Sequence, residues 1–445
     1  MSRHIFFAVV AVVAVLFVGP ACNFSDPAEP VQNDGDVESP VPPDTDALDI
    51  LWTIENTYVS CGYQDKIRDA APDIFETLDD AERDFHIAVT TPHGLDDELP
   101  HPGDDVDPVA RAGYLQSEPQ PVPAFDDQYC LYGKDSSGEP VEGDFSRFDT
   151  LLEDAIECTQ DPEEHQHLLD YDEDLLQCAI YDPNILSQDE FEANCDEEQD
   201  YPALKEFFPD RESYRDIPTV LRAEDYRDDG QLDVDAVAAD FRCMSFVGSK
   251  SIHTRQGLAM TARALSPEMT GAPDSADDAP NAGFIRPEAE TSLVFVSNRN
   301  DCSHDGALDE PTDCGQGQCA IAEHHGGELV SVEELADRVV ENLTASKGAE
   351  ELADSDIHVA SVHGDSQRLD PVNVPEQCPE GGYFDGLDTT CSTGNYIATS
   401  GHRYGDFLQQ FSEHYPNSDE NDSVEGLICD DVTNTFTSRE LFGIE

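Results

Sequence analysis

The chain is long, acidic and poor in lysine. It has 445 residues, with 97 acidic against 23 basic side chains and a formal net charge of −74 at pH 7. This balance excludes a nucleic-acid partner, because no part of the chain supplies a basic footprint. Salt screens self-repulsion, so dispersed acidity with only five lysines predicts a protein that works in high salt. The hydrophobic share of 38% recurs in apolar runs, which predicts a folded core rather than a disordered acidic chain.

The N-terminus is predicted to be a targeting segment. An apolar run from Ile5 to Val18 is too short to span a membrane and ends in small residues before Cys22, so residues 1–21 fit a secretory signal peptide. Cys22 resembles the lipidated cysteine of a lipobox, although Gly19 stands where leucine is usual; an ordinary signal peptide with an incidental cysteine remains open. Residues 22–46 then form an acidic, proline-rich tether. We expect an exported protein, lipid-anchored in a bacterial cell envelope at the outer membrane or cell surface.

The first folded unit is predicted to be a strand, a helix and a second strand. Asp49–Ile54 and Phe85–Thr91 are short apolar runs, and Gln64–Leu78 carries apolar residues at helical spacing with Pro72 inside it. Pro72 predicts a kink there or a helix that starts there. Such a unit implies a mainly parallel sheet, whose ligand site lies at the carboxyl ends of the strands, here at Glu55–Thr57.

The rest of the domain, 47–411, is predicted to contain one large insertion. Residues 92–220 are rich in acids and carry four cysteines, with helices at Phe145–Cys158 and Glu173–Ile180, so we expect a disulfide-stapled subdomain. Two calcium-like acidic runs, around Gly230 and at Asp170–Asp174, lack the ligands of an EF-hand and predict solvated surface. The later predicted elements are a helix at Arg255–Leu265, a strand at Thr291–Ser297, a Cys/Gly-rich loop at 300–328, a helix capped by Ser331 that runs to Ala345, a strand at Asp356–His363, a helix at Tyr404–Phe411 and a C-terminal tail at 412–445.

The cysteines predict disulfides rather than a zinc site. Thirteen are present, and an exported chain that sets Cys22 aside keeps an even number, which allows up to six disulfides of open connectivity. No paired C-x-x-C motif is present, which argues against zinc. The disulfide candidates are Cys61, Cys130, Cys158, Cys178, Cys195, Cys243, Cys302, Cys314, Cys319, Cys378, Cys391 and Cys429.

Several stretches resemble a von Willebrand factor A (VWA) domain, in the form found in bacterial lipoproteins. They are Asp49–Thr57, Phe85–Thr91, Phe241–Cys243 with Gly248 and Thr254–Ala259, and Asn281–Arg286 with Ser292–Ser297. These pieces follow one another in the family's order, in a span from Asp49 to Ser297 that is about half of the chain. The resemblance implies an α/β fold with a doubly wound, mainly parallel sheet (VWA/Rossmann-like), here with a large acidic disulfide-rich insertion.

The resemblance also implies a place for a divalent ion. Glu55 and Thr57 take the positions of the family's aspartate and first serine, Val59 that of the second serine, Thr254 that of the threonine and Asn298 that of the last aspartate. The metal set Glu55, Thr57, Thr254 and Asn298 has lost one hydroxyl and one charge, which Mg²⁺ tolerates poorly. Asp301 lies three residues beyond Asn298 and is assigned to the next loop. We expect a degenerate site and no cofactor, with Mg²⁺ as the ion in question.

Two functions are compatible with these residues. The first is a non-enzymatic lipoprotein whose VWA-like domain binds an unknown protein or matrix ligand at the envelope. It is favoured because no nucleophile elbow, phosphate loop or dinucleotide fingerprint occurs. The alternative is an exported hydrolase or metal-dependent enzyme whose site combines the insertion with His324–His325. We expect no enzyme.

Overall fold

A six-stranded sheet organises the part of the chain that the computed structural model describes. The chain divides into two units, Met1–Pro42 and Pro43–Glu445, and every described residue lies in the second. The predicted signal peptide, Cys22 and most of the tether lie outside the described residues. The described residues are 46–56, 60–92, 113–117, 119–121, 131–133, 141, 144–180, 195, 204–248, 256–271, 279–304, 322–323, 329–352, 357–364, 391–393, 396–398, 401–414, 423–428 and 435–444.

The strands form one mostly parallel sheet and two small hairpins. They are β1 Ala47–Ile54, β2 Asp84–Thr90, β3 Leu221–Arg222, β4 Arg227–Asp228, β5 Gln231–Leu232, β6 Glu290–Val296, β7 Ile357–His363, β8 Cys391–Thr393, β9 Tyr396–Ala398 and β10 Ser423–Leu427. The large sheet has the order β10-β7-β6-β1-β2-β3, in which β3 alone is antiparallel. The four predicted core strands therefore do lie in one mostly parallel sheet, with ends that differ by one or two residues.

The described residues include α-helices on both faces of this sheet and in the insertion. They are α1 Cys61–Asp80, α2 Ser146–Glu157, α3 Pro162–His165, α4 Glu173–Ile180, α5 Val234–Met244, α6 Gly257–Ala264, α7 Pro267–Thr270, α8 Val332–Lys347 and α9 His402–His414. Helices α1 and α5 pack on one face of the sheet, and α6, α8 and α9 pack on the other. Short 3₁₀ turns occur at Gln166–Asp170, Leu204–Phe207, Arg211–Ser213, Ala223–Tyr226 and Arg439–Phe442. Among the described residues, no helix is long and apolar enough to cross a membrane.

Successive residues of β1 point to opposite faces, and each face has its own apolar core. Trp52 lies in the core shared with α1, α5 and the C-terminal segment; its ring centroid lies 5.6 Å from that of Phe241, 5.9 Å from Phe436 and 6.3 Å from Phe442. Leu51 lies in the other core, with residues of α6, α8 and α9. Both residues are fully buried, so β1 is the centre of the molecule.

Helix α1 passes through Pro72 without ending there, so the prediction that the helix starts at this proline is wrong. It begins eleven residues earlier, at Cys61. A proline has no N–H, so the carbonyl oxygen four residues before it lacks its usual helical donor. In α1 this acceptor is the carbonyl oxygen of Arg68. Arg242 on α5 donates its Nε to that oxygen at 3.1 Å. The neighbouring helix therefore satisfies the group that the proline exposes.

Helix α8 begins as its sequence predicts. Ser331 is the N-cap, and its Oγ accepts a hydrogen bond from the amide of Glu334 at 3.1 Å. The carboxylate of Glu334 pairs with Arg338 at 2.7 Å. The helix ends at Gly348 with φ +67°, a conformation that favours glycine.

A buried carboxylate closes the amino-terminal end of the sheet. Asp49 on β1 is fully buried and accepts hydrogen bonds from Arg286, at 2.7 Å from the amide and 2.8 Å from Nε. Burial raises the pKa of Asp49 to about 6, although the Arg286 guanidinium beside it acts in the opposite direction. His86 lies 3.8 Å from Asp49, and burial lowers its pKa to about 4. Arg286 thus joins the segment before β6 to β1.

The described part of the insertion has an apolar cluster of its own. Leu131, Phe148, Leu152, Leu176, Phe208 and others form it, with Phe246 from the segment after α5. Disulfides join Cys158 to Cys243 and Cys178 to Cys195, and Cys61 and Cys302 are also disulfide-bonded. Of the remaining candidates, Cys391 begins β8, and Cys130, Cys314, Cys319, Cys378 and Cys429 lie outside the described residues. The predicted disulfides are therefore confirmed in part.

Neither calcium-like run forms an ion loop in the described structure. Asp229 and Gly230 have φ of +50° and +86° and make the two-residue turn between β4 and β5. Asp172 accepts hydrogen bonds from the amides of Asp174 and Leu175, at 3.0 and 3.4 Å, at the start of α4. Both acidic runs therefore have a local structural use.

Candidate functional site

Two sequence-predicted positions meet at the point where the strand order reverses. Strand β1 pairs with β2 on one side and with β6 on the other, and the chain leaves both β1 and β6 at the same edge. In open α/β sheets, ligands bind in the crevice outside the carboxyl ends of the strands at such a point. Glu55 follows β1 here, and Asn298 follows β6. We call this region, residues 55–56, 256–259, 297–304, 322–323 and 401–403, the polar edge.

Glu55 is turned into the protein, where it binds the loop that follows β6. It is 1% exposed, and its Oε2 accepts a hydrogen bond from the amide of Asn298 at 2.9 Å. The hydroxyl of Ser297 donates to the same oxygen. The amide of Glu55 also donates to the carbonyl of Val296 at 2.9 Å, which continues the pairing of the two strands. Glu55 thus fixes the two loops of the polar edge against each other.

Gln64 holds the beginning of α1 against the same loops. Its Nε2 lies 3.0 Å from the carbonyl oxygen of Glu55 and 2.6 Å from Ser60 Oγ. The same nitrogen lies 2.8 Å from the carbonyl oxygen of Gly248, which follows α5. Gln64 is buried, so these contacts are shielded from water. This residue was missed by the sequence reasoning, since a glutamine on a helix has no recognisable pattern.

Asp301 is the hub of the second half of the polar edge. It is fully buried, and its Oδ1 accepts from the amide of Leu258, at the start of α6, at 3.0 Å. Its two oxygens also accept from the hydroxyl of Ser303 at 2.9 Å and from the amide of Ser303 at 3.0 Å. Arg403 places its Nε 3.5 Å from Oδ2. A carboxylate at a helix N-terminus is stabilised by the free amides and the helix dipole.

Ser303 and Gly257 complete the contact with α6. Ser303 Oγ accepts from the amide of Ala259 at 3.0 Å. A Cβ at Gly257 would overlap the hydroxyl of Tyr404, so only glycine lets α6 approach α9 this closely. Thr261, one turn further along α6, shares a hydrogen bond with Thr53 of β1, with 2.6 Å between the hydroxyl oxygens. The helix is therefore fixed to both the sheet and the loop.

A histidine–glutamate pair lies at the outer side of the polar edge. His402 Nε2 lies 2.6 Å from Glu323 Oε1, and the side chains are 2% and 21% exposed. Asn300 Nδ2 lies 3.3 Å from the other carboxylate oxygen, and Asn300 Oδ1 accepts from the amide of Arg403 at 2.9 Å. Asn300 therefore satisfies an amide in the first turn of α9 while it orients Glu323. His324 and His325, which follow Glu323 in the chain, lie outside the described residues.

The described residues do not fit a magnesium site. Of the four predicted positions, Glu55 and Asn298 come together, whereas Thr57 and Thr254 lie outside the described residues, as does Val59. Glu55 and Asp301 accept hydrogen bonds from the protein's own donors, whereas Mg²⁺ requires carboxylates open to an octahedral shell. In the described part of the chain, no group of three or more His, Cys, Asp or Glu side chains is arranged to hold a metal.

The role of Asp301 had a partial signal in the sequence. Asp-x-Ser segments are typical of local side-chain to backbone hydrogen bonds, which Asp301 does form with Ser303. Its contacts to Leu258 and Arg403 join segments 43 and 102 residues away along the chain, and no local pattern encodes them.

A comparison of the chain with protein-family models, curated proteins and solved structures found no match.

Proposed function

We propose that this chain is a non-enzymatic exported lipoprotein whose VWA-like domain binds a protein or matrix ligand at the cell envelope, without a metal ion. The observation that carries the proposal is that the carboxylate of Glu55 is hydrogen-bonded to the protein itself. Its carboxylate holds Ser297 and the amide of Asn298 at the switch point of the sheet. The loops that an ion would otherwise organise are thus held by side-chain hydrogen bonds.

The fold supports the VWA-like part of this proposal. When the six strands of the large sheet are renumbered 1 to 6 in chain order, their order across the sheet is 3-2-1-4-5-6. This is the strand order of a doubly wound sheet. Helices α1 and α5 pack on one face, and α6, α8 and α9 on the other. The stretches that resemble a VWA domain supply β1, β2, β6 and the start of α6.

Export is supported by the apolar N-terminal run and by the cysteines. Cys158–Cys243 and Cys178–Cys195 form disulfides, and disulfides persist in oxidising compartments. Cys22 supplies the proposed lipid attachment, and the excess of 74 negative charges supports a high-salt environment.

Saturable binding to solubilised native envelope tests this function. Glu323→Lys changes the charge of the polar edge, and Glu288→Lys makes the same change at an exposed position near Arg286, at the other end of the sheet. We expect Glu323→Lys to abolish binding, Glu288→Lys to preserve it, and a chelator at constant ionic strength to leave binding unchanged. Melting temperatures of both variants control for folding. Loss of wild-type binding on chelation, or equal binding by the two variants, would refute the proposal.

The Glu323–His402 pair favours one second candidate, an exported hydrolase or metal-dependent enzyme. A carboxylate 2.6 Å from an imidazole is an arrangement that general acid–base catalysis uses. An activity screen on wild type and His402→Gln, with metal analysis of the purified protein, separates the two. Turnover that His402→Gln abolishes would replace the binding function with this one.

A further inference from the structure

The insertion is a packing unit distinct from the sheet domain. We define the insertion module as described residues 131–133, 144–180, 195 and 204–213. Most of its buried apolar side chains, Phe148 and Leu152 among them, form a cluster separate from the two cores of the sheet, whereas Cys158 lies in the core that contains Trp52. Phe148 contacts Phe207 and Phe208 edge-on, with centroids 6.3 and 5.5 Å apart. A unit with its own core can move without losing that core.

Polar contacts and one aromatic ring attach the module to α1. Arg68 pairs with Asp154 of α2 at 3.0 Å, and Arg147 of the module pairs with Asp65. The guanidinium of Arg68 lies 4.2 Å from the ring centroid of Phe246, which enters the module's cluster. The side chain of Asp154 is 34% exposed to solvent. Salt therefore weakens the ion pair between Arg68 and Asp154.

The Cys158–Cys243 disulfide is the covalent part of this attachment. It joins the end of α2 to α5 across a sequence separation of 85 residues. The exit of the module from the sheet domain is at the same place: Thr159 forms an isolated bridge with Tyr214, and the amide of Arg215 donates to the carbonyl of Cys158 at 3.1 Å. The disulfide therefore lies at the place where the chain leaves the module.

The guanidinium of Arg215 lies beside one sulfur of this disulfide. Its Nη2 lies 3.2 Å from Cys243 Sγ and 3.1 Å from a carboxylate oxygen of Asp240. A guanidinium beside a sulfur stabilises the thiolate, and a stabilised thiolate leaves faster in thiol–disulfide exchange. The Arg215 side chain is 31% exposed, whereas both cysteines are buried.

We propose that Cys158–Cys243 is a redox-sensitive latch, which a dithiol opens to release the insertion module from α5 while the sheet stays folded. One thiolate of the dithiol attacks Cys158 Sγ, the disulfide bond breaks, and the electron pair leaves on Cys243 Sγ, which then takes a proton. The second thiol displaces Cys158 from the mixed disulfide. The chain gains two electrons and two protons, and the dithiol becomes a disulfide.

Hydrogen exchange on a matched pair of variants tests the latch. Cys158→Ala/Cys243→Ala removes it, and Cys178→Ala/Cys195→Ala removes the disulfide inside the module. In the first variant we expect the amide protection of α2 to fall about tenfold or more, with β1 and β6 still protected and the emission of Trp52 unchanged. The second variant should keep α2 protected. Unchanged protection of α2 in the first variant, or joint loss from the strands, would overturn the proposal.

The kinetics of reduction test it without any cysteine change. Dithiothreitol is added to the wild-type chain, thiols are trapped by alkylation, and peptide mapping follows Cys158 and Cys243. We expect both thiols to appear before the emission of Trp52 changes. Arg215→Gln should slow their appearance by about threefold to tenfold, and Arg215→Lys by less, since either cation stabilises the thiolate. Simultaneous loss of the core, or equal rates in Arg215→Gln and wild type, would contradict the latch.

Discussion

The pH dependence of stability is the sharpest test of the amino-terminal end of the sheet. Asp49 and His86 lie 3.8 Å apart on neighbouring strands, and burial shifts their pKa values in opposite directions. The pKa of Asp49 rises from 3.8 to about 6, and that of His86 falls from 6.5 to about 4. The free energy of unfolding should therefore change with pH through each group, and the two changes should have opposite signs.

The signs follow from proton binding in the folded and unfolded chains. Between about pH 4 and 6 the folded chain holds the proton of Asp49 more tightly, so this contribution is present at low pH and is lost as pH rises, by about 3 kcal/mol. Between pH 6.5 and about 4 the unfolded chain protonates His86 more readily. That contribution is present above pH 6.5 and is lost as pH falls, by about 3 kcal/mol.

Urea unfolding at molar salt measures these slopes, with the emission of Trp52 as the probe. This tryptophan is the single one in the chain and is fully buried. Relative to wild type, Asp49→Asn should gain stability as pH rises from 4 to 6, because only the His86 contribution remains. His86→Gln should lose stability over the same range. The many other carboxylates cancel in these differences. Variant and wild-type curves that run parallel across the window would refute the assigned shifts.

Two further outcomes follow from the same contacts. Glu55→Ala leaves two buried donors without their acceptor and costs about 2 kcal/mol, whereas no change would mean that its bonds are absent. The melting temperature should climb from low to molar salt, as the Debye length falls from about 10 to about 3 Å, and a flat response would refute a compact acidic domain.

Periodicity predicted the elements of the fold because burial leaves a direct trace in the sequence. The β1 and β6 runs carry apolar residues on both faces since both faces of these strands are covered, and α4 has the bounds that its pattern predicted. Of the two alternatives predicted for α1 at Pro72, a helix that starts there is wrong. The donor that compensates for the proline, Arg242, lies 174 residues from the carbonyl of Arg68, and no local pattern reveals it.

The site was predictable in place but not in chemistry. The carboxyl ends of parallel strands lie at one edge of a sheet, and the family resemblance put Glu55 and Asn298 in one site, where β1 does pair with β6. The direction of each side chain did not follow. Whether Glu55 faces an ion or a neighbouring loop depends on Ser297, 242 residues away, and on an amide that every residue carries. Alignment with a metal-binding pattern therefore describes position rather than use.

The bonds of Glu55 bear directly on how Mg²⁺ should behave. An ion that used this carboxylate would have to displace Ser297 and the amide of Asn298 from Oε2. Hydrogen bonds to a charged group contribute about 1.5 to 3 kcal/mol each, so displacement weakens affinity by roughly two to four powers of ten. Calorimetric titration of wild type at molar salt should then show no saturable one-to-one heat. Ser297→Ala removes one competing donor and should strengthen any response to Mg²⁺, whereas Ser292→Ala, on β6 and remote from this edge, should not. Tight one-to-one binding by wild type that Ser297→Ala abolishes would mean that Ser297 is a ligand rather than a competitor, and that the polar edge is a working metal site.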